Sequence, residues 1–214
     1  MLLIAVASLS LALGPPPASV VSRRAVLLAP AALLAAAPRP SVAADSLTET
    51  YTDTRYGVQF GLPAGFKPQA QELADGRRLV TATSPSDDST NIFIAFTPVR
   101  PDYVSLGSFG NIDYVASTII PQCNGGDCKL AAGDPIEGKM VSQDTIKGSY
   151  VYDYTIEQKG GPKRHLRSLF AIKADPIKDG ASSILVSLTA QCLEASHKDL
   201  APMFKAVMES YKDA

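Results

Sequence analysis

The sequence predicts an α+β domain in which an antiparallel sheet is covered by helices. Three observations predict it. Short apolar runs carry the two-residue period of strands; Gly- and Pro-rich stretches of hairpin length separate them; and the last segment repeats its apolar residues at helical spacing.

Ahead of the domain, residues 1–44 contain Arg23, Arg24 and Arg39 but no Asp or Glu. Two apolar runs, Met1–Leu13 and Ala25–Ala37, are each followed by prolines, which is the composition of a targeting address rather than of a packed element. The motif Ser22-Arg23-Arg24-Ala25-Val26-Leu27-Leu28 sets paired arginines before the second run, as in a twin-arginine export signal. Ser41-Val42-Ala43-Ala44 then offers small residues to a signal peptidase, so cleavage is expected after Ala44. The second run is short and interrupted by Pro30, whereas crossing a bilayer takes about 20 apolar residues; the protein is expected to be peripheral to a membrane, not to span it. Two successive runs imply two sorting steps, as in an algal plastid whose protein crosses an envelope system and then the thylakoid membrane. A start codon assigned too far upstream would explain the first run instead.

Residues 45–214 are expected to form one domain. After a polar lead, Asp45 to Asp53, the residues Val58, Phe60 and Leu62 alternate with Gln59 and Gly61 and stop at Pro63-Ala64-Gly65, a strand ended by a turn. Arg77 to Ser84 reads as a second strand. Asn91 to Thr97 is apolar on both faces, as a central strand covered on each side would be. Ile112, Val115, Ala116, Ile119 and Ile120 recur at helical spacing, and Pro121 closes that helix. Gln122 to Gly138 reads as a loop. Strands follow at Lys139 to Ile146, Tyr150 to Gln158, His165 to Lys173 and Ser183 to Cys192, with Gly160-Gly161-Pro162 as a hairpin connection. Leu200, Met203, Phe204, Val207, Met208 and Tyr211 form one apolar stripe of an amphipathic helix. Asp199 is the expected N-cap, which would put Pro202 in the first turn where its missing N–H costs nothing.

All 21 acidic residues and all but three of the 20 basic ones lie beyond residue 44. A mildly acidic domain argues against nucleic acid as a partner. Nucleophile elbow, phosphate loop, dinucleotide fingerprint and zinc-protease motif are all missing, and Gly107-Ser108-Phe109-Gly110 reads as a turn leading into a helix. Cys123-Asn124-Gly125-Gly126-Asp127-Cys128 reads as a small disulfide across a Gly-Gly turn, with half of a metal site or a redox pair as the alternatives. Cys192, closing an apolar strand, reads as a buried thiol. Tyr150, Tyr152 and Tyr154 share one strand face and read as packed rings with hydroxyls at the rim. Lys163-Arg164-His165-Leu166-Arg167 is either a solvated hairpin end or a docking patch for an acidic protein surface, with Lys163, Arg164 and Arg167 expected to be exposed.

The order of several pieces resembles the PsbP family of thylakoid-lumen proteins. They are Tyr56-Gly57-Val58-Gln59-Phe60-Gly61-Leu62-Pro63-Ala64-Gly65-Phe66, Thr90-Asn91-Ile92-Phe93-Ile94, Ser105-Leu106-Gly107-Ser108-Phe109-Gly110, Tyr152 to Thr155, Arg164-His165-Leu166 and Thr189-Ala190-Gln191 before the last helix. The resemblance implies a sheet sandwiched by helices and a non-enzymatic role beside a photosystem, with core proteins on the lumenal side as partners. In that family PsbP itself helps the manganese cluster of photosystem II retain calcium and chloride, while its relatives more often serve assembly, stability or repair. About ten residues separate Ala44 from the first motif, too few for the N-terminal arm used in ion retention, which favours the auxiliary group. His165 matches a family histidine that holds divalent metal, so calcium, manganese or zinc is implied, with Glu194 or His197 as the accompanying ligand. From another class, a small-ligand carrier or an undetected enzyme would use a cleft between sheet and helices.

Overall fold

The computed structural model describes residues 47–119, 136–158, 160–178 and 182–214. The expected targeting segment and the Cys123/Cys128 pair lie outside the described residues. Strands β1 (Leu47–Asp53), β2 (Val58–Pro63) and β10 (Lys212–Asp213) make a small sheet in the order β1-β2-β10. A seven-stranded sheet has the order β3-β4-β5-β9-β8-β7-β6, formed by β3 (Lys67–Glu72), β4 (Arg78–Thr83), β5 (Asn91–Val99), β6 (Ile136–Ile146), β7 (Ser149–Gln158), β8 (Arg164–Ala174) and β9 (Ser183–Leu193). Every pairing is antiparallel. The α-helices among the described residues are α1 (Ile112–Ile119) and α2 (Glu194–Ser210).

Strand alternation divides the interior into two layers. On one face of the large sheet, Ile92, Ile94, Phe96, Leu169, Val186, Leu188 and Ala190 pack against Val58, Phe60 and Leu62 of the small sheet and against Met203, Phe204, Val207 and Met208 of α2. On the other face, Tyr152, Tyr154, Leu166, Phe170 and Leu185 meet Val115, Ala116 and Ile119 of α1, with Leu106 beside them. The large sheet is therefore covered on one side by α2 together with a second sheet, and on the other by α1, so helices alone do not sandwich it.

Among the described residues, the sheet side chains buried in the second layer come from β7, β8 and β9, and β5 lies at its margin. Ile92, Ile94 and Phe96 are buried while Phe93 and Ala95 are half-buried, so among the described residues this strand has one fully buried face and one half-buried face. β1 and β3 carry no apolar alternation because they lie at sheet edges. β3 is exposed along its whole length and includes Lys67 and Pro68, residues that blunt an edge against further pairing.

The last helix begins at Glu194, not after Asp199, and Pro202 lies in its interior. An interior proline costs about 3 kcal/mol relative to alanine. Burial of each large apolar side chain returns about 1.5–3 kcal/mol, and Phe204, Val207 and Met208 are at most 1% exposed. Packing thus carries the helix through the proline. No helix among the described residues is long and apolar enough to cross a membrane.

Candidate functional site

β9 runs into α2 without a loop, since Leu193 ends the strand and Glu194 begins the helix. Leu193 has no capping side chain; instead the Glu194 N–H donates to the Lys163 carbonyl at 3.0 Å. That bond ties the helix start to the head of β8. Glu194 and His197, three apart, share a helix face and stand over the sheet beside His165.

On the sheet, His165 faces Thr155 of β7 and Cys192 of β9, and Arg167 faces Asp153. Residues 153, 165 and 167 emerge on the α2 side, the face opposite to that of Tyr152 and Tyr154. His165 Nδ1 is bonded to Glu194 Oε2 at 2.7 Å, and its Nε2 is bonded to Asp153 Oδ1. The other Asp153 oxygen accepts from Arg167 Nη1 at 3.0 Å. The His197 ring lies parallel on His165, with centroids 3.3 Å apart and planes 3° from parallel.

A carboxylate on each ring nitrogen requires both nitrogens to donate, so His165 is held as a cation. Burial opposes that charge, but the bonds to Asp153 and Glu194 outweigh it and raise the pKa above the usual imidazole value. His197 moves the other way: burial and then the neighbouring His165 charge depress it. Asp153 would be raised by its burial, yet the His165 bond and the charges of His165 and Arg167 hold it below the ordinary carboxylate range. Two atoms are left over. Arg167 Nε and His197 Nε2 are buried without a hydrogen-bond partner among the described residues.

The sequence readings meet this geometry unevenly. His165, Glu194 and His197 do come together. Asp153 was missed, although a carboxylate flanked by tyrosines in the middle of a largely buried strand, opposite Arg167 once the hairpin folds about Gly160, is a signal that register would have exposed. The basic stretch is not one patch. Lys163 is exposed, but Arg164 donates to the Ser89 carbonyl at 3.3 Å. Arg167, its side chain 18% exposed, points at Asp153. Three positions apart on a strand, the two arginines face opposite sides.

Cys192 is buried beside His165 on the same face, an arrangement that could suggest a Cys-His nucleophile. Its thiol is pushed up to about 12, by burial first and then by the carboxylates nearby, so it carries no thiolate for attack. The tyrosines behave as packed rings, with Tyr152 donating to the Ile112 carbonyl at 3.0 Å.

Asp153, His165 and His197 offer ligand atoms within 4.8 Å of one another. Two imidazoles and one carboxylate fit a nitrogen-preferring metal such as zinc rather than calcium, which takes six to eight oxygens. The unpartnered His197 Nε2 suits such a role, and Glu194 would orient His165 through its other nitrogen. Metal binding would require His165 to release a proton and its Nε2 contact with Asp153.

The fold corresponds to that of known proteins. The family model described as PsbP matches residues 46–212. The chain belongs to the PsbP family. Among PsbP relatives, PsbP domain-containing protein 3, chloroplastic, of Arabidopsis thaliana is 25% identical over 163 residues, 76% of this chain. The chain spans 63% of that relative's length. The solution structure of cyanobacterial PsbP from Synechocystis sp. PCC 6803 superposes with a TM-score of 0.56 at 16% identity, covering 78% of this chain and 92% of that one; this likeness speaks to the PsbP fold alone.

Proposed function

We propose that this PsbP-family chain is a non-enzymatic auxiliary protein of the thylakoid lumen that assists assembly, stability or repair of a photosystem. The observation that carries the reading is the family match over residues 46–212, which takes up nearly the whole domain beyond the expected cleavage after Ala44. The name of the Arabidopsis relative supports a chloroplast setting, and the paired Arg23 and Arg24 support onward passage into the lumen. With cleavage after Ala44, the mature chain enters β1 at Leu47 almost at once, which favours an auxiliary role over a calcium- and chloride-retaining subunit. The histidine cluster supports a binding or bracing role: its charges are spent on one another, and the thiol beside it is too basic to react. A divalent metal on His165, His197 and Asp153 would be an accessory of that bracing. The test is whether native protein from thylakoids co-migrates with a photosystem on a non-denaturing gel. Co-migration is expected; a chain that runs alone, unmoved by crosslinking to any core subunit, would overturn the proposal in favour of a carrier or an enzyme.

A further inference from the structure

A cation that is no part of the metal-ligand set already holds Asp153. Arg167 follows His165 by two residues on β8, so both side chains emerge on the α2 face. It stands directly across from Asp153 in the β7–β8 pairing, and its Nη1 donates to Asp153 Oδ2 at 3.0 Å. The two side chains are 18% and 11% exposed, so solvent screens this pair less than it would a surface pair.

These contacts limit what is left for a metal. Asp153 has one oxygen to give, because the guanidinium holds the other. Glu194 is bonded to Nδ1, on the far side of the His165 ring from Nε2, and it stands outside the group of ligand atoms that lie within 4.8 Å of one another. The cluster therefore supplies two imidazoles and a single carboxylate oxygen. Zinc is commonly held by two histidines and one carboxylate, whereas calcium takes six to eight oxygens and often both oxygens of a carboxylate.

Arg167 acts on such a metal in two opposed ways. As a donor to a ligating carboxylate it would hold Asp153 in place, and losing an outer partner of that kind costs a metal site about 10- to 100-fold in affinity. As a fixed positive charge beside the same carboxylate it repels the dication. The repulsion is the larger effect here, because Asp153 needs little help to stay aimed. It lies in mid-strand between the buried Tyr152 and Tyr154, and its backbone is flanked by β6 on one side and β8 on the other.

We propose that Arg167 is the specificity-determining residue of this cluster: it withholds one oxygen of Asp153 and adds a positive charge, so that the cluster takes a nitrogen-preferring dication of the zinc class at reduced affinity and turns calcium away. This role rests on the metal reading of Asp153, His165 and His197 and is independent of any place beside a photosystem.

Isothermal titration calorimetry of the full chain at a single pH tests it, with zinc chloride and calcium chloride as the probes. The proteins are wild type, Arg167→Gln, Arg167→Lys and, as a control at an exposed position of α2, Lys198→Gln. Glutamine keeps an amide donor for Asp153 without the charge, and lysine keeps the charge without the fork. Wild type is expected to bind one zinc and to show no saturable calcium binding. Arg167→Gln should bind zinc at least about tenfold more tightly, while Arg167→Lys stays within about threefold of wild type and Lys198→Gln is unchanged. A purely structural role would lower the melting temperature of the metal-free variant without tightening zinc. Weaker zinc binding by Arg167→Gln would make Arg167 a positioning residue, unchanged binding would make it a bystander, and saturable calcium binding by wild type would refute the selectivity; each overturns the proposal. Zinc binding by neither wild type nor Arg167→Gln overturns the metal reading as well. Should Arg167→Gln fail to fold, the wild-type comparison of zinc with calcium and a tenfold loss in Arg167→Lys remain able to refute it.

Discussion

Removing the Asp153 carboxylate would strand two cationic side chains beneath α2. Arg167 and the His165 cation share its two oxygens, and breaking a buried pair on one side costs about 3–5 kcal/mol because the surviving charge is left uncompensated. Asp153→Ala is therefore expected to lower unfolding free energy by about 3 kcal/mol, the low end because Glu194 still faces His165; urea titration reads it, and a loss below about 1 kcal/mol would mean that solvent already screens the cluster. The histidines predict a pH signature of opposite signs. His165 is raised above 6.5, so its stabilisation is complete below that value and fades as pH climbs through the folded pKa. His197 is lowered from 6.5, so it costs stability as pH falls, when the unfolded chain takes a proton that the folded chain refuses. His197→Asn removes only the second effect. Relative to wild type, that variant should gain stability between about pH 7.5 and about pH 5.5; a difference that stays flat across this range would refute a neutral, stacked His197.

Helix α2 shows how an element can be recognised by its stripe and misplaced at its start. The repeat from Leu200 to Tyr211 is visible in the sequence, and a proline three residues after a capping residue invites a helix that begins at Asp199. In the fold, Glu194 to Lys198 are helical as well, because the incoming strand and the Lys163 carbonyl supply a start that no local cap announces. The difference can be measured. If Pro202 were in the first turn, replacing it would change little; inside the helix, Pro202→Ala restores a donor toward residue 198. After allowing for the entropy that proline removes from the unfolded chain, the gain is expected to be about 2 kcal/mol, seen as a higher melting temperature. Edge strand β3 was illegible for the opposite reason. Its sequence, KPQAQE, has no face to bury, and only pairing with β4 makes it a strand.

At the scale of the molecule, the basic stretch at the head of β8 mixes an outward charge with inward ones. If the basic stretch docks on an acidic protein surface, Lys163→Glu should weaken that association while leaving stability within about 0.5 kcal/mol, as expected of an exposed residue. Arg167→Glu should instead unfold more easily, since it would put a third carboxylate beside Asp153 and Glu194. Binding assays paired with thermal melts separate the two, and equal binding by the Lys163 variant at low salt would move the interface elsewhere. The core strands other than β1 and β3, the hairpin at Gly160, the stripe of the last helix, the buried Cys192 and the family likeness were legible from residue order, because periodicity and turn chemistry act over a few neighbours. Partner choice was not. That His197 stacks on His165, that Asp153 closes the cluster, that Arg167 turns inward and that a second sheet shares the cover of the first depend on register and strand order. Those are set by contacts between residues far apart in the chain, and no local pattern encodes them.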